Sequence, residues 1–327
     1  MGDTVKTYFE LPGQALQRYS MNGATMGTRY SAVFYGPAGI DTAAVGASLF
    51  AAVDQVDRQM STWDSKSDLC RVNAAPAGNW IAVPGQLAEV LETGVQLGLD
   101  SHGAFDIGLG ELVDAWGFGP TPRIVPGLAP GPLSTSYKPA PELLELDRPH
   151  GKLLKRGPLR FDLSGIAKGY GVDQLAQCLD QWGIRRYLVG IDGEMRARGT
   201  KPAGEAWTIA VEKPVFGVRE VAGVMELWDT AVATSGDYRH WTEIDGQRYS
   251  HTMHPALQRP VSNRLAAVTV LASTCMLADG WATALLVLGE DDGVRLAREW
   301  GMDALFVLRD GDRLTEIATG ALADAAS

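Results

Sequence analysis

Apolar residues recur along this chain at two different periods, and proline and glycine mark where one gives way to the other. "TRYSAVFYG" (28–36) has the β-branched and aromatic content of a strand, whereas "DTAAVGASLFAAVDQVDRQM" (41–60) opens on Asp41 as an N-cap and carries a helical apolar stripe. "PGQLAEVLETGVQLGLDSHG" predicts a second helix ending near Gly103. Residues 116–141, "WGFGPTPRIVPGLAPGPLSTSYKPAP", are too rich in proline and glycine for either element and predict a long surface loop. "KGYGVDQLAQCLDQWG" predicts a helix leading into the apolar strand "RRYLVGI". "AWTIAVEKP", "GVMELWDTAVAT" and "RLAAVTVLA" read as strands, "TCMLADGWATALLVLG" (274–289) as an apolar helix, and "DALFVLRDGDRLTEIAT" as a hairpin turning at Asp-Gly. Strands follow one another as well as following helices. That pattern predicts an α+β fold with much antiparallel sheet rather than a doubly wound parallel one.

Composition narrows the picture further. A chain of 327 residues with 46% hydrophobic content can bury a large core, as one domain or two. A formal net charge of −10 argues against nucleic acid or an anionic membrane as the main partner, since both need a basic face. A phosphate-bearing ligand stays open if the site brings its own cation. No uninterrupted apolar stretch reaches ~18 residues, so no membrane span is expected, and "MGDTVKTYFE" lacks the features of a signal peptide. Cys70, Cys178 and Cys275 form no CxxC spacing, which excludes a thiolate zinc site and leaves them as small buried apolar residues.

Neither a GxxxxGK[ST] loop nor a GxGxxG between strand and helix is present, so the usual dinucleotide folds are disfavoured. "DLSGIAKGYGVD" (162–173) sets a glycine-rich turn before a helix with Lys168 at its start, where backbone N–H groups and an ammonium could meet an anion. An ordinary β-to-α turn reads the same way. In 274–289, Asp279 and Thr283 stand four apart and so share a helix face. A carboxylate in such apolar company must be paired or metal-bound, and a carboxylate with a hydroxyl suits a hard cation such as Mg²⁺. The plainer alternative has Asp279 accepting first-turn N–H groups and Thr283 bonding back to its own helix. "VATSGDYRHW" places Ser235, Asp237 and Tyr238 in a polar turn. In "SHTMHPALQRPVS" (250–262), Pro255 biases His254 towards an extended conformation, and residues three apart on an extended chain face opposite ways. His251 and His254 are therefore expected to have different jobs.

Eight segments, "NGATMGTRYS", "MSTWDSKSDLCRVN", "GAFDIGLGELVDAWGFG", "DLSGIAKGYGVD", "YLVGIDGE", "VATSGDYRHW", "YSHTMHP" and "ADGWATALLVLG", together resemble the ApbE family of FAD:protein FMN transferases. The resemblance runs from about Arg18 to about Gly320, which frames one transferase domain over 18–320, possible subdomains included, between an N-terminal extension (1–17) and a C-terminal tail (321–327). It implies an α+β fold with FAD in a cleft, Mg²⁺ at the pyrophosphate, and transfer of FMN to a threonine of a partner protein with release of AMP. Such proteins are typically exported to the bacterial periplasm and flavinylate membrane-bound electron-transfer subunits, so the expectation is an exported protein without its leader. The "HTM" variant and "HPALQRP" look most like accessory members associated with nitrous-oxide reduction.

Carried over position by position, the resemblance puts the metal carboxylate and hydroxyl on Asp279 and Thr283 and a carbonyl ligand on Ala167. Met26, Gly27 and Thr28, the segment Ser61, Thr62 and Trp63, Asp106, Lys168, Gly193 and Glu194, and Ser235 and Tyr238 fall on its cofactor-binding positions, and His251 on its catalytic histidine. Trp63 offers a surface for a flavin or adenine ring. This chain departs where the family has His-x-x-Asp-Pro-x-Thr-Gly: His254 replaces the aspartate, and Leu257 and Gln258 replace the threonine and glycine. Cys70 stands where serine is usual. An FAD pyrophosphatase using water in place of the hydroxyl, and a non-catalytic FAD-binding protein, are the competing expectations.

Overall fold

The computed structural model describes residues 15–122, 130–131, 137–217, 220–311 and 313–325. Most of the expected N-terminal extension, residues 123–129 and 132–136 of the expected long loop, and the last two residues of the expected tail lie outside them.

Strands β1 (Leu16–Thr25) and β2 (Thr28–Pro37) form a hairpin, followed by helices α1 (Thr42–Met60) and α2 (Asp68–Ala74). Next come β3 (Trp80–Ala82), α3 (Gly85–Asp100), α4 (Gly110–Ala115), α5 (Ala140–Leu143), β4 (Leu144–Asp147) and β5 (Lys152–Lys155). Helix α6 (Ala167–Gln181) precedes β6 (Arg186–Ile191), β7 (Glu194–Arg198), β8 (Trp207–Glu212), β9 (Val221–Leu227) and β10 (Ala231–Gly236). The short strands β11 (Trp241–Ile244), β12 (Gln247–Ser250), β13 (Met253–His254) and β14 (Arg259–Pro260) lead to β15 (Leu265–Ala272). The chain closes with α7 (Cys275–Glu299), β16 (Asp303–Asp310), β17 (Arg313–Thr319) and α8 (Ala321–Ala325), so the expected tail begins as a helical turn.

Eight strands form the main sheet in the order β1-β2-β6-β7-β10-β15-β16-β17, with every neighbouring pair antiparallel. The fold is α+β. Alternation along β2 explains how the sheet holds two layers. Tyr30, Ala32 and Phe34 face Val45, Leu49 and Val53 of α1 and Val172, Leu175 and Leu179 of α6, while Val33 and Tyr35 pack with Trp207 of β8 and Leu227 of β9. Helix α1 tolerates Gly46, which costs about 1 kcal/mol in a helix interior, because complete burial of Leu49 alone contributes about 2 kcal/mol. The Asp41 side chain accepts from the Ala44 amide and fixes where that helix starts. Helix α7 runs through a local kink at Gly289, whose φ of 81° lies in the left-handed region.

One expected strand is in fact two. "GVMELWDTAVAT" breaks at Trp228–Thr230: β9 pairs only with β8 in a separate two-stranded sheet, while β10 joins the main sheet. Asp229 makes the break at a φ of 45°, and its carboxylate accepts from the Gly199 amide at 2.7 Å. The apolar residues on either side hid this polar turn. Among the described residues no helix is long and apolar enough to cross a membrane.

Candidate active site

Segments far apart in sequence converge on one cavity of about 790 Å³. The β1–β2 hairpin contributes its two-residue turn, Met26 and Gly27, both in the left-handed region with φ of 46° and 70°. That is the geometry of a primed hairpin turn, which glycine adopts freely and methionine only under strain. Asp57 of α1 also stands in the cavity wall, where burial raises its carboxyl above the usual carboxylate range. Beyond α1, Ser61 uses its hydroxyl to accept from the Trp63 and Asp64 amides, which leaves the Trp63 ring 71% exposed at the wall.

The acidic centre is built by two helix starts that cap each other. Asp279 in α7 accepts from the Gly169 amide in the first turn of α6 at 2.9 Å. Asp173 in α6 accepts from the Cys275 and Met276 amides at the start of α7 at 3.0 and 2.9 Å. Each carboxylate thereby satisfies N–H groups that the other helix cannot bond internally. Asp279 is only 3% exposed, and burial followed by the nearby Glu194 charge holds its carboxyl well above the usual carboxylate range. Its second oxygen has no hydrogen-bond donor among the described residues. Thr283, one turn further along α7, does not bond back to its own helix; its hydroxyl meets the Ser235 hydroxyl of β10 at 2.9 Å.

Lys168 donates to Glu194 at 2.6 Å and lies 3.6 Å from Asp192. Burial opposes its charge, but Glu194, Asp279 and Asp192 outweigh that and raise its pKa, so it stays an ammonium. The other oxygen of Glu194 is buried and unpartnered.

His251 places its Nδ1 3.1 Å from the His240 carbonyl oxygen. A carbonyl only accepts, so Nδ1 carries the proton and Nε2 keeps its lone pair. Burial, with the neighbouring His240 ring and Lys168 adding to it, pushes the imidazole down to about 4. The His240 and Phe118 rings pack edge-on against it, with centroids at 5.4 and 6.3 Å. His254 instead pairs with Arg259 in the β13–β14 ribbon and accepts from the Leu257 amide, outside the cavity wall. Gln258, at the position of the family's glycine, takes up the left-handed region itself with φ of 50°.

All the sequence-derived candidates line this cavity except Gly193 and Tyr238. Gly193, at φ of 113°, lies beneath the Arg239 guanidinium, where a Cβ would come within 3.5 Å of it. Tyr238 turns away into a small cluster with Ala267 and Val307 and bonds Glu212. Its successors Arg239 and His240 take its place in the wall. Asp106 does line the wall, but its carboxylate is committed to the Gly108 and Ala140 amides and the Tyr137 hydroxyl. Burial nevertheless holds its pKa above the ordinary range. Sequence reasoning missed Asp57, Asp192, Arg239 and His240. Asp192, Arg239 and His240 lie inside the quoted segments "YLVGIDGE" and "VATSGDYRHW", next to candidates named there, and that adjacency was the available signal.

A walled cavity with hard oxygen donors in excess of its cations and a neutral imidazole can hold a cation, through it an anionic ligand, and a base to take a proton. The chain belongs to the ApbE family, whose model matches residues 26–306. It is 38% identical over 306 residues to an FAD:protein FMN transferase of Vibrio cholerae, covering 93% of this chain and 91% of that one. Its fold superposes with a TM-score of 0.84 on the Pseudomonas stutzeri flavinyl transferase ApbE in its apo form, at 38% identity and covering 94% and 96% of the two chains. The flavin transferase ApbE from Vibrio cholerae gives a TM-score of 0.83 at 35% identity, covering 95% of this chain and 99% of that one.

Proposed function

We propose that this chain transfers FMN from FAD to a partner protein, with Mg²⁺ as the metal and a threonine hydroxyl as the acceptor. The observation that carries the reading is the meeting, in one cavity, of the Asp279–Thr283 oxygen face, Lys168 and the Nε2 lone pair of His251. Relatives over nearly the whole chain that are FAD:protein FMN transferases support the same reaction.

The donor set fits a hard divalent cation. Asp279 has a free carboxylate oxygen, Thr283 a hydroxyl, and Ala167 a carbonyl at the first position of α6. The unpartnered Glu194 oxygen adds to the excess of negative charge over Lys168. These donors are all oxygens, which suits Mg²⁺ rather than zinc, because Mg²⁺ retains waters and takes few protein ligands. When bound, Mg²⁺ supplies charge neutralisation and Lewis acidity at the pyrophosphate.

The residues of the chain do the rest. His251 takes the proton of the incoming hydroxyl at Nε2 as the oxygen attacks the FMN phosphorus. The bond from that phosphorus to the bridging oxygen breaks, and AMP leaves. Lys168 stays charged and offsets negative charge on the phosphate oxygens. Ser235 orients the Thr283 hydroxyl, and the exposed face of Trp63 offers a stacking surface for a planar ring. By resemblance, the reading extends to a membrane-bound electron-transfer subunit as acceptor, in the periplasm of a bacterium that reduces nitrous oxide.

The test is in-gel flavin fluorescence with the chain, FAD, Mg²⁺ and an acceptor that the Vibrio cholerae transferase labels in parallel. A labelled acceptor band that EDTA abolishes is expected. No band beside a labelled control would overturn the proposal, and free FMN and AMP without an acceptor would make the chain a pyrophosphatase.

A further inference from the structure

We infer that the outer face of the β11–β12 ribbon, with Phe216 of the β8–β9 connection, is the surface on which the acceptor protein docks, and that Arg248 there receives a carboxylate of that acceptor. This rests on the transfer reading above. The ribbon is rooted in the cavity: His240 and His251 flank it, their main chains bond at 3.2 Å, and both line the wall. One step outward, Trp241 pairs with Ser250 and is 39% exposed. Arg248 lies diagonally across the ribbon with its guanidinium 4.5 Å from the Trp241 ring centroid and 5.0 Å from that of Phe216.

Arg248 is exposed and makes no ion pair among the described residues, even though Glu243 stands opposite it in register. Arg309, on the same Phe216 ring, is different: both its terminal nitrogens pair with Asp237, at 2.6 and 2.7 Å. Arg248 therefore presents an oriented, unneutralised cation on a chain of net charge −10, on the outer face of the ribbon whose other face carries the cavity histidines, and outside the cavity wall. Exposed and outside the wall, it is open to an incoming chain. Arginine stacked on aromatic rings is the composition of an interface anchor, and its planar group is already held, so little freedom is lost when a carboxylate arrives. Charge complementarity of this kind also speeds encounter.

The experiment measures steady-state labelling with the full chain, FAD, Mg²⁺ and the acceptor labelled by the Vibrio cholerae transferase, for R248E, R248K and W241A. R248E and W241A are expected to raise KM for the acceptor about tenfold and leave KM for FAD unchanged, with R248K between them and the native chain. Circular dichroism and FAD binding confirm that each variant is folded. An unchanged acceptor KM in both R248E and W241A would overturn the inference, as would an equal rise in both KM values, which would mean a disturbed cavity. If the native chain labels nothing while the control does, the transfer reading fails first and the docking surface with it.

Discussion

Gly169 is a point of close approach between the two helix starts that build the acidic centre, and it offers a sharp test of that geometry. A Cβ added there would stand 2.3 Å from the Cys275 carbonyl oxygen, 2.7 Å from its carbonyl carbon and 2.8 Å from the Asp279 Cβ. The first two are backbone atoms and cannot rotate away, so α7 would have to move by about 1 Å to restore ordinary contact. Overpacking of this kind costs about 1–3 kcal/mol. The upper end applies where the neighbour is backbone. Alanine returns about 1 kcal/mol through helix propensity, so Gly169→Ala should lose about 2 kcal/mol net. The same displacement pulls Asp279 off the Gly169 amide, so labelling activity should fall with stability. Urea unfolding followed by tryptophan fluorescence reads the first effect. Gly85→Ala is the control: nothing lies within 4 Å of its added Cβ, and it should gain about 0.4–1 kcal/mol. A Gly169→Ala chain as stable as the native one would refute the reasoning, because propensity alone would then have decided the sign.

Other outcomes follow from the same geometry. Asp279→Asn keeps the acceptor for the Gly169 amide but removes a charge disfavoured by burial and Glu194; without metal it should unfold at higher temperature than the native chain at pH 8, and it should lose both Mg²⁺ stabilisation and labelling. Mg²⁺ stabilisation equal to that of the native chain would remove Asp279 from the metal site. Thr283→Val strands the Ser235 hydroxyl at a cost of about 1 kcal/mol and should weaken Mg²⁺ binding in calorimetry; unchanged binding would take Thr283 out of the donor set. His251→Ala should spare FAD binding and slow transfer by about 10²–10⁴-fold in single-turnover labelling. Because the folded His251 pKa is depressed to about 4 from its usual 6.5, the unfolded chain binds the extra proton between those values. His251 therefore withdraws stability as pH falls from 6.5 to 4, and melting curves of the native chain should drop faster through that window than those of His251→Ala. Parallel pH dependence would show that His251 is not desolvated.

What was legible along the chain was whatever depends on neighbours in sequence. The helix face shared by Asp279 and Thr283, the Asp41 cap, the Asp-Gly hairpin and the opposed fates of His251 and His254 all follow from the backbone period and from Pro255. Tyr238 shows the limit of that kind of reasoning. Residues 235–240 look alike as a polar turn, and only packing against Ala267 and Val307 decided that Tyr238 leaves the cavity while Arg239 and His240 enter it. Asp106 makes the same point, since its place in a motif does not reveal that three protein donors already occupy it.

The sequence by itself determined the α+β class, the main helices and most long strands, and the oxygen-bearing face of α7, because each is set by local periodicity and capping. Only the tertiary structure decided which charges meet. The Asp173–Asp279 exchange joins residues more than a hundred positions apart, Lys168 of α6 finds Glu194 at the start of β7, and the His251 tautomer depends on a carbonyl eleven residues away. Burial and partner charge set the protonation of these groups, and both are properties of packed surfaces rather than of neighbours along the chain.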